Sequence, residues 1–254
     1  MTTVGFTRPT KKVQDSVKEA KDMGLDAIGA PSLDIESGDG EQFDLLESLA
    51  KPGAIVVFGS ATAVEECAKH FGDRLPGMFA ESRNIAIGPA TKKALDKAGV
   101  NVTDVPDDYS SFGLVELLKN DVKGKKVVAV RSDKGNKILA DGLRDAGAEL
   151  VEIAAYKLTP VDMNSALLHL MIAVKRKKVD VMAFTSPLSA KTFFQEMEEH
   201  YGKEKAEAYL HDNVKVAAIG KPTAMMLESL GRPADIIPEN TTFHDMLQAI
   251  KDQA

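Results

Sequence analysis

At 254 residues the chain can hold one large domain or two of ordinary size, each with its own core. A composition of 44% hydrophobic and 28% charged residues is that of a globular protein, and no apolar run approaches the length of a membrane span. A formal net charge of −6 argues against broad attraction to nucleic acid or an anionic lipid surface, and the single cysteine, Cys67, excludes an intrachain disulfide framework.

The start, Met1 to Phe6, lacks a basic segment followed by an apolar core, so no secretory signal is expected, and a lone thiol fits a reducing cytosol. Val4 to Phe6 reads as a short buried strand with Arg8 just beyond it. Asp34 to Gln42, rich in Gly and Asp, has turn composition. Ile55 to Phe58 reads as a strand ending in Gly59-Ser60. The helix after it carries Val64, Cys67, Ala68 and Phe71 at i, i+3, i+4 and i+7, which places Cys67 in the core and leaves Glu65-Glu66 for a solvated face. Ile85 to Ile87 leads through Gly88 into a helix bearing Thr91, Ala94, Leu95 and Ala98, and a further helix holds Leu114, Leu117 and Leu118. Asn120 to Lys125 is a basic turn. Val127 to Val130 precedes Arg131, and Leu150 to Tyr156 is the next strand. Lys157 to Asn164 has turn composition again, and Val181 to Phe184 and Val214 to Ile219 complete the strands. Several of these runs are continuous rather than alternating, as in parallel sheets covered on both faces. Strand–helix–strand alternation implies right-handed crossovers and a doubly wound α/β sheet.

The second half restates the first. Arg8 and Gly24 map to Arg131 and Gly147 at an offset of 123, and Phe58-Gly59-Ser60 maps to Phe184-Thr185-Ser186 at 126. Ile87-Gly88-Pro89-Ala90-Thr91 maps to Ile219-Gly220-Lys221-Pro222-Thr223 at 132. Three helices keep their apolar face through these offsets. The step of six residues falls near Glu198 to Asp212 and lengthens a surface helix or loop. Two similar lobes therefore make a cleft. The repeat alone suggests a tandem cut near Lys123, whereas the equivalent turns at Asp34 to Gln42 and Lys157 to Asn164 suggest one continuous lobe and one built from both chain ends.

Conventional catalytic equipment is sparse. The five histidines are scattered, and no nucleophile elbow, Walker loop or dinucleotide fingerprint is present. The notable polar groups lie where strands meet helices: Ser60 and Ser186, and Thr91 and Thr223 after Gly88 and Gly220. Ligands in open α/β sheets bind beyond the carboxyl ends of strands, and helix N-termini there favour carboxylates. The same residues are also ordinary helix caps. Arg8 and Arg131 could each bind an anion or hold a protein carboxylate. Tyr156 could donate a proton or simply pack at a hinge.

The order and spacing of these segments resemble the uroporphyrinogen-III synthase family over nearly the whole chain. The match is carried by Arg8 with Gly24 and Pro31, Phe58-Gly59-Ser60, Ile87 to Thr91, and Tyr109-Ser110-Ser111-Phe112-Gly113-Leu114. It continues through Arg131, Gly147, Ala155-Tyr156, Phe184-Thr185-Ser186-Pro187 and Ala218 to Thr223. Gly59 departs from the Thr usual before the first Ser, and Thr241-Thr242-Phe243 stands where the other half has Tyr109-Ser110-Ser111. The resemblance implies two similar flavodoxin-like doubly wound parallel-sheet lobes, 1–33 plus 160–254 and 37–155, joined by a two-stranded connector at 34–36 and 156–159. It implies cyclisation of hydroxymethylbilane with loss of water and inversion of the last ring through a spiro intermediate. No metal or cofactor is expected, and the chain is expected to act as a cytoplasmic monomer. By the same resemblance Tyr156 is an assisting acid, and the candidate substrate-binding residues are Arg8, Ser60, Thr91, Ser111, Arg131, Ser186 and Thr223. A different class of reading stays open, a non-catalytic two-lobed sensor for a tetrapyrrole or other small anion. A phosphoacceptor or flavin-binding relative would require a strand-end Asp or a Ser/Thr-rich phosphate loop, and neither is evident.

Overall fold

The computed structural model describes residues 1–253. The chain forms two compact units, Met1–Ile35 with everything from Thr159 onward, and Glu36–Leu158. In chain order the first unit opens with β1 (Thr3–Pro9), α1 (Val13–Asp22) and β2 (Asp26–Ser37). The second unit follows with α2 (Gly40–Leu49), β3 (Ile55–Phe58), α3 (Ala61–Phe71), α4 (Leu75–Met78), β4 (Arg83–Ala86) and α5 (Pro89–Lys97). It continues with α6 (Ser111–Leu118), β5 (Lys126–Ser132), α7 (Lys137–Asp145) and β6 (Glu149–Pro160). The first unit resumes with α8 (Ser165–Lys175), β7 (Val181–Phe184), α9 (Pro187–Tyr201) and α10 (Lys203–Asp212), and ends with β8 (Lys215–Ala218), α11 (Lys221–Ser229) and α12 (Phe243–Gln253).

Strand order is β2-β1-β7-β8 in the first unit and β4-β3-β5-β6 in the second. The pairs within each are parallel. The duplication is visible at the level of register. Thr3 pairs with Asp26 and Lys126 with Glu149, and both ladders slip at the same place, between Arg8 and Pro9 and between Arg131 and Ser132. The segments read as turns at Asp34 to Gln42 and Lys157 to Asn164 are partly strand: β2 runs to Ser37 and β6 to Pro160. Their Gly, Asp and Pro content reflects the points at which each strand passes from one unit to the other. Equivalent backbone bonds tie these crossings, Gly38 N–H to Ala155 O (2.9 Å) and Val161 N–H to Ser32 O (3.1 Å).

The continuous apolar strands are explained by cover on both faces. In β7, Met182 and Phe184 pack with Leu167, Leu170, Phe193 and Met197 of α8 and α9, while Val181 and Ala183 pack with Ala20, Met246 and Ile250 of α1 and α12. In the second unit, Ile55, Val57, Val127 and Ala129 meet Leu114, Leu118, Leu139 and Leu143 of α6 and α7. The six-residue insertion is absorbed by a longer α9, 15 residues against the 11 of α3, and by α10, which stands in the place of α4 and buries Ala206 and Leu210. Cys67 is fully buried, and burial and then Glu66 push its thiol up to about 12, so it stays protonated and inert at neutral pH. Glu66 corrects an expectation. It is 4% exposed rather than solvated, because its carboxylate turns inward to accept from the Ser37 hydroxyl (2.9 Å) at the end of β2 and pairs with Lys69. Among the described residues no helix is long and apolar enough to cross a membrane.

Candidate active site

Every strand–helix junction singled out in the sequence lies at the carboxyl edge of its own sheet. The two copies of the serine junction differ in chemistry. Ser60 caps α3, its Oγ accepting from Ala63 N–H (3.1 Å). Ser186 caps α9 and forms a full capping box with Ser189, each side chain accepting from the other's backbone N–H (3.1 Å both ways). Replacing Ser186 with Ala is expected to lower stability by about 1 kcal/mol through loss of the cap. A denaturant titration showing an unchanged midpoint would remove that cap from the account.

Gly88 and Gly220 cap α5 and α11 with extended backbone. Their role is close approach: a Cβ would stand 3.0 Å from the Tyr109 side chain at Gly88 and 2.9 Å from that of Thr241 at Gly220. Pro89 and Pro222 follow in the first turns, and Thr91 and Thr223 lie in the same turns, both buried. For a ligand at α5 the groups on offer are therefore first-turn backbone N–H groups such as those of Ala90 and Thr91, which have no intrahelical carbonyl to meet. In the Tyr109–Ser111 loop the cap is Ser110, which accepts from Phe112 and Gly113 N–H. The expected contact residue Ser111 is instead buried beside it and accepts from Asn136 Nδ2 (3.1 Å).

The two arginines separate sharply. Arg131, expected as a substrate ligand, is engaged within the protein: its guanidinium meets Glu152 (2.9 Å) and donates to the carbonyl of Asn136 (2.8 Å). Arg8 occupies the same register position in β1, but the groups that engage Arg131 are replaced there. The repeat offsets put Gly29 where Glu152 stands, Val13 where Asn136 stands and Phe243 where Ser111 stands. A Cβ at Gly29 would lie 2.8–3.0 Å from Phe6, Val13 and Val17, so α1 packs too closely for a glutamate there. Among the described residues Arg8 has no ion-pair partner, and its Nε is buried without a hydrogen bond. Its guanidinium lies 4.8 Å from the centroid of the Phe243 ring. Burial lowers its pKa to about 10, against an opposing pull from Glu19, so it is still cationic at neutral pH. A desolvated cation without a partner carboxylate is a strong attractor for an anionic ligand.

Tyr156 has the opposite setting. It is 8% exposed, its phenol lies 3.1 Å from Ser60 Oγ, and Ser132 stands opposite it on the neighbouring strand. Burial raises its pKa and the two serine hydroxyls pull it down, the net effect being upward. It is thus a protonated donor at neutral pH. Sequence reasoning missed Ser132, Asn136, Glu152 and Phe243. Their signal was in the repeat itself, as positions that are polar in one copy and apolar in the other.

Comparison with known proteins gives one consistent answer. A family model described as uroporphyrinogen-III synthase HemD matches residues 14–248. A relative in the same family from Methanothermobacter thermautotrophicus is 30% identical over 97% of this chain and 96% of its own. The uroporphyrinogen-III synthase of Chlorobaculum parvum is 28% identical over 94% of each. In structure, a mutant uroporphyrinogen III synthase from the extremely thermophilic bacterium Thermus thermophilus matches with a TM-score of 0.69 at 22% identity, over 99% of this chain and 98% of that one. The Helicobacter pylori enzyme matches at 0.61 and 16% identity over all of both chains. At those identities the structures speak for the α/β fold alone.

Proposed function

The chain belongs to the uroporphyrinogen-III synthase family, and from that premise we propose that it cyclises hydroxymethylbilane to uroporphyrinogen III, losing water and inverting the last ring through a spiro intermediate. The observation that carries this reading is the family match over residues 14–248. The reaction suits a site with few ionisable groups. The electron-rich pyrroles expel the terminal hydroxyl themselves, giving an azafulvene that the substituted carbon of the last ring attacks. The unaided chain closes without inversion, so the protein's main contribution is to hold the chain ends in the spiro-forming geometry.

On this reading Arg8 binds a substrate carboxylate, and the first-turn N–H groups around Ser60, Thr91, Ser186 and Thr223 bind others. This explains how a chain of net charge −6 takes an anionic substrate. Arg131 and Ser111, committed to Glu152 and Asn136, shape the edge rather than meet the substrate. Tyr156 assists departure of the hydroxyl as a general acid, supported by its buried, protonated phenol. The chain then works as a cytoplasmic monomer without nucleic acid, metal or organic cofactor. Purified protein given hydroxymethylbilane is expected to yield the type III isomer. Type I product alone, formed at the uncatalysed rate, would refute the assignment.

A further inference from the structure

The duplication provides an internal control for the phenol. The repeat offsets map Tyr156 to Leu33, Ser132 to Pro9 and Ala63 to Ser189. Leu33 pairs with Pro9 at the ladder slip of the first unit, as Tyr156 pairs with Ser132 at that of the second. The serine shared by both copies, Ser186 or Ser60, is used differently in each. Ser186 is locked to Ser189, whereas Ser60 has the apolar Ala63 at that position and reaches the Tyr156 oxygen instead, at 3.1 Å. The second unit alone therefore gathers three hydroxyls at one strand end.

We propose, resting on the reading of Tyr156 as the assisting acid, that Ser60 and Ser132 are positioning residues that both donate to the Tyr156 oxygen and so aim its single proton away from the protein, toward the leaving hydroxyl. Ser60 Oγ already accepts from Ala63 N–H, which leaves its own proton free to donate. With both serines donating, the lone pairs of the phenol oxygen are occupied and its proton is the one unused direction. The ladder slip between Arg131 and Ser132 brings Ser132 opposite Tyr156, and Asp133 N–H bonds the Tyr156 carbonyl (3.0 Å), fixing the backbone from which both side chains project. In the step itself the pyrrole nitrogen supplies the electron pair that breaks the C–O bond. The departing oxygen takes the Tyr156 proton and leaves as water, while the two serines stabilise the phenolate. The proton then lost from the azafulvenium nitrogen restores the phenol.

The test is a four-membered cycle in the full chain: the parent protein, Ser132→Ala, Tyr156→Phe and the double variant, with hydroxymethylbilane as substrate. Ser132→Ala is expected to lower kcat about fivefold, the worth of one hydrogen bond, with KM unchanged. It should do nothing further in the Tyr156→Phe background, and Ser132→Thr should restore the rate. An equal loss in both backgrounds, or a change confined to KM, overturns the inference. A second readout is independent of turnover: the ring ζ-carbon resonance of Tyr156 in protein with isotope-labelled tyrosine. It should move in Ser132→Ala and return in Ser132→Thr, and an unmoved resonance also overturns the inference. Tyr156→Phe kinetics decide the underlying reading separately, since an unchanged kcat removes the acid role whatever the resonance does.

Discussion

Replacing Tyr156 with Phe lowers kcat about 10- to 100-fold while KM and Tm stay close to those of the parent protein. The size follows from the chemistry. General acid help is worth about 100-fold or more where the leaving group needs it, and here the pyrrole nitrogen already drives departure, so the loss falls at or below the low end of that range. The selectivity for kcat follows from timing, because the proton is given up only as the C–O bond breaks. Stability is spared because the ring stays buried and Phe fills the same volume. Ser60 keeps its bond from Ala63 N–H, and Ser132 is half-buried, so water can reach the vacated hydroxyls. Steady-state kinetics with a thermal melt on the same samples checks both halves. A fall in Tm matching the fall in activity would make Tyr156 a packing residue only.

Replacing Arg8 with Met raises KM about 10- to 100-fold and leaves Tm unchanged or slightly higher. A charge-assisted hydrogen bond to a carboxylate is worth roughly 1.5–3 kcal/mol, and each 1.4 kcal/mol is about tenfold in affinity. Stability does not fall because Arg8 holds a desolvated charge with no ion-pair partner among the described residues. Removing that charge offsets the loss of the cation–π interaction with the Phe243 ring, itself worth about 1 kcal/mol. Arg131→Met is expected to behave in the reverse way. It strips a partner from Glu152, which keeps only Arg144, and a donor from the Asn136 carbonyl. Because Glu152 is one-third exposed, the cost is limited to about 1 kcal/mol of stability, with little change in KM. An Arg8 variant with unaltered KM, or an Arg131 variant that loses binding without losing stability, would invert the assignment of the two arginines.

The contrast shows where one-dimensional reading stops. Arg8 and Arg131 look equivalent as sequence, both following a first strand at the same offset. What separates them is the residue on the neighbouring strand, Gly29 in one copy and Glu152 in the other, and pairing across strands is not local in the chain. Glu66 departs from its sequence pattern for a related reason. Its helix stripe predicts a solvated side, but the end of β2 lies over it and supplies the Ser37 hydroxyl. In the Tyr109–Ser111 loop the sequence does not separate the two serines, whereas the structure makes Ser110 the cap and gives Ser111 the Asn136 amide, a one-residue distinction that depends on where the helix starts turning.

By itself the sequence determined the fold class, the duplication and the family. Each rests on patterns that local physics writes directly: apolar runs long enough for doubly covered strands, glycine and serine at the junctions, and helix stripes repeated at fixed offsets. Tertiary structure alone decided which of the repeated polar groups are free and which are already used. An arginine, serine or tyrosine is defined chemically by the partners that folding brings to it, through desolvation and hydrogen bonds between residues far apart in the chain, 96 positions in the case of Ser60 and Tyr156. The two copies share a backbone plan, and their chemistry diverged through the side chains that the plan brings into contact.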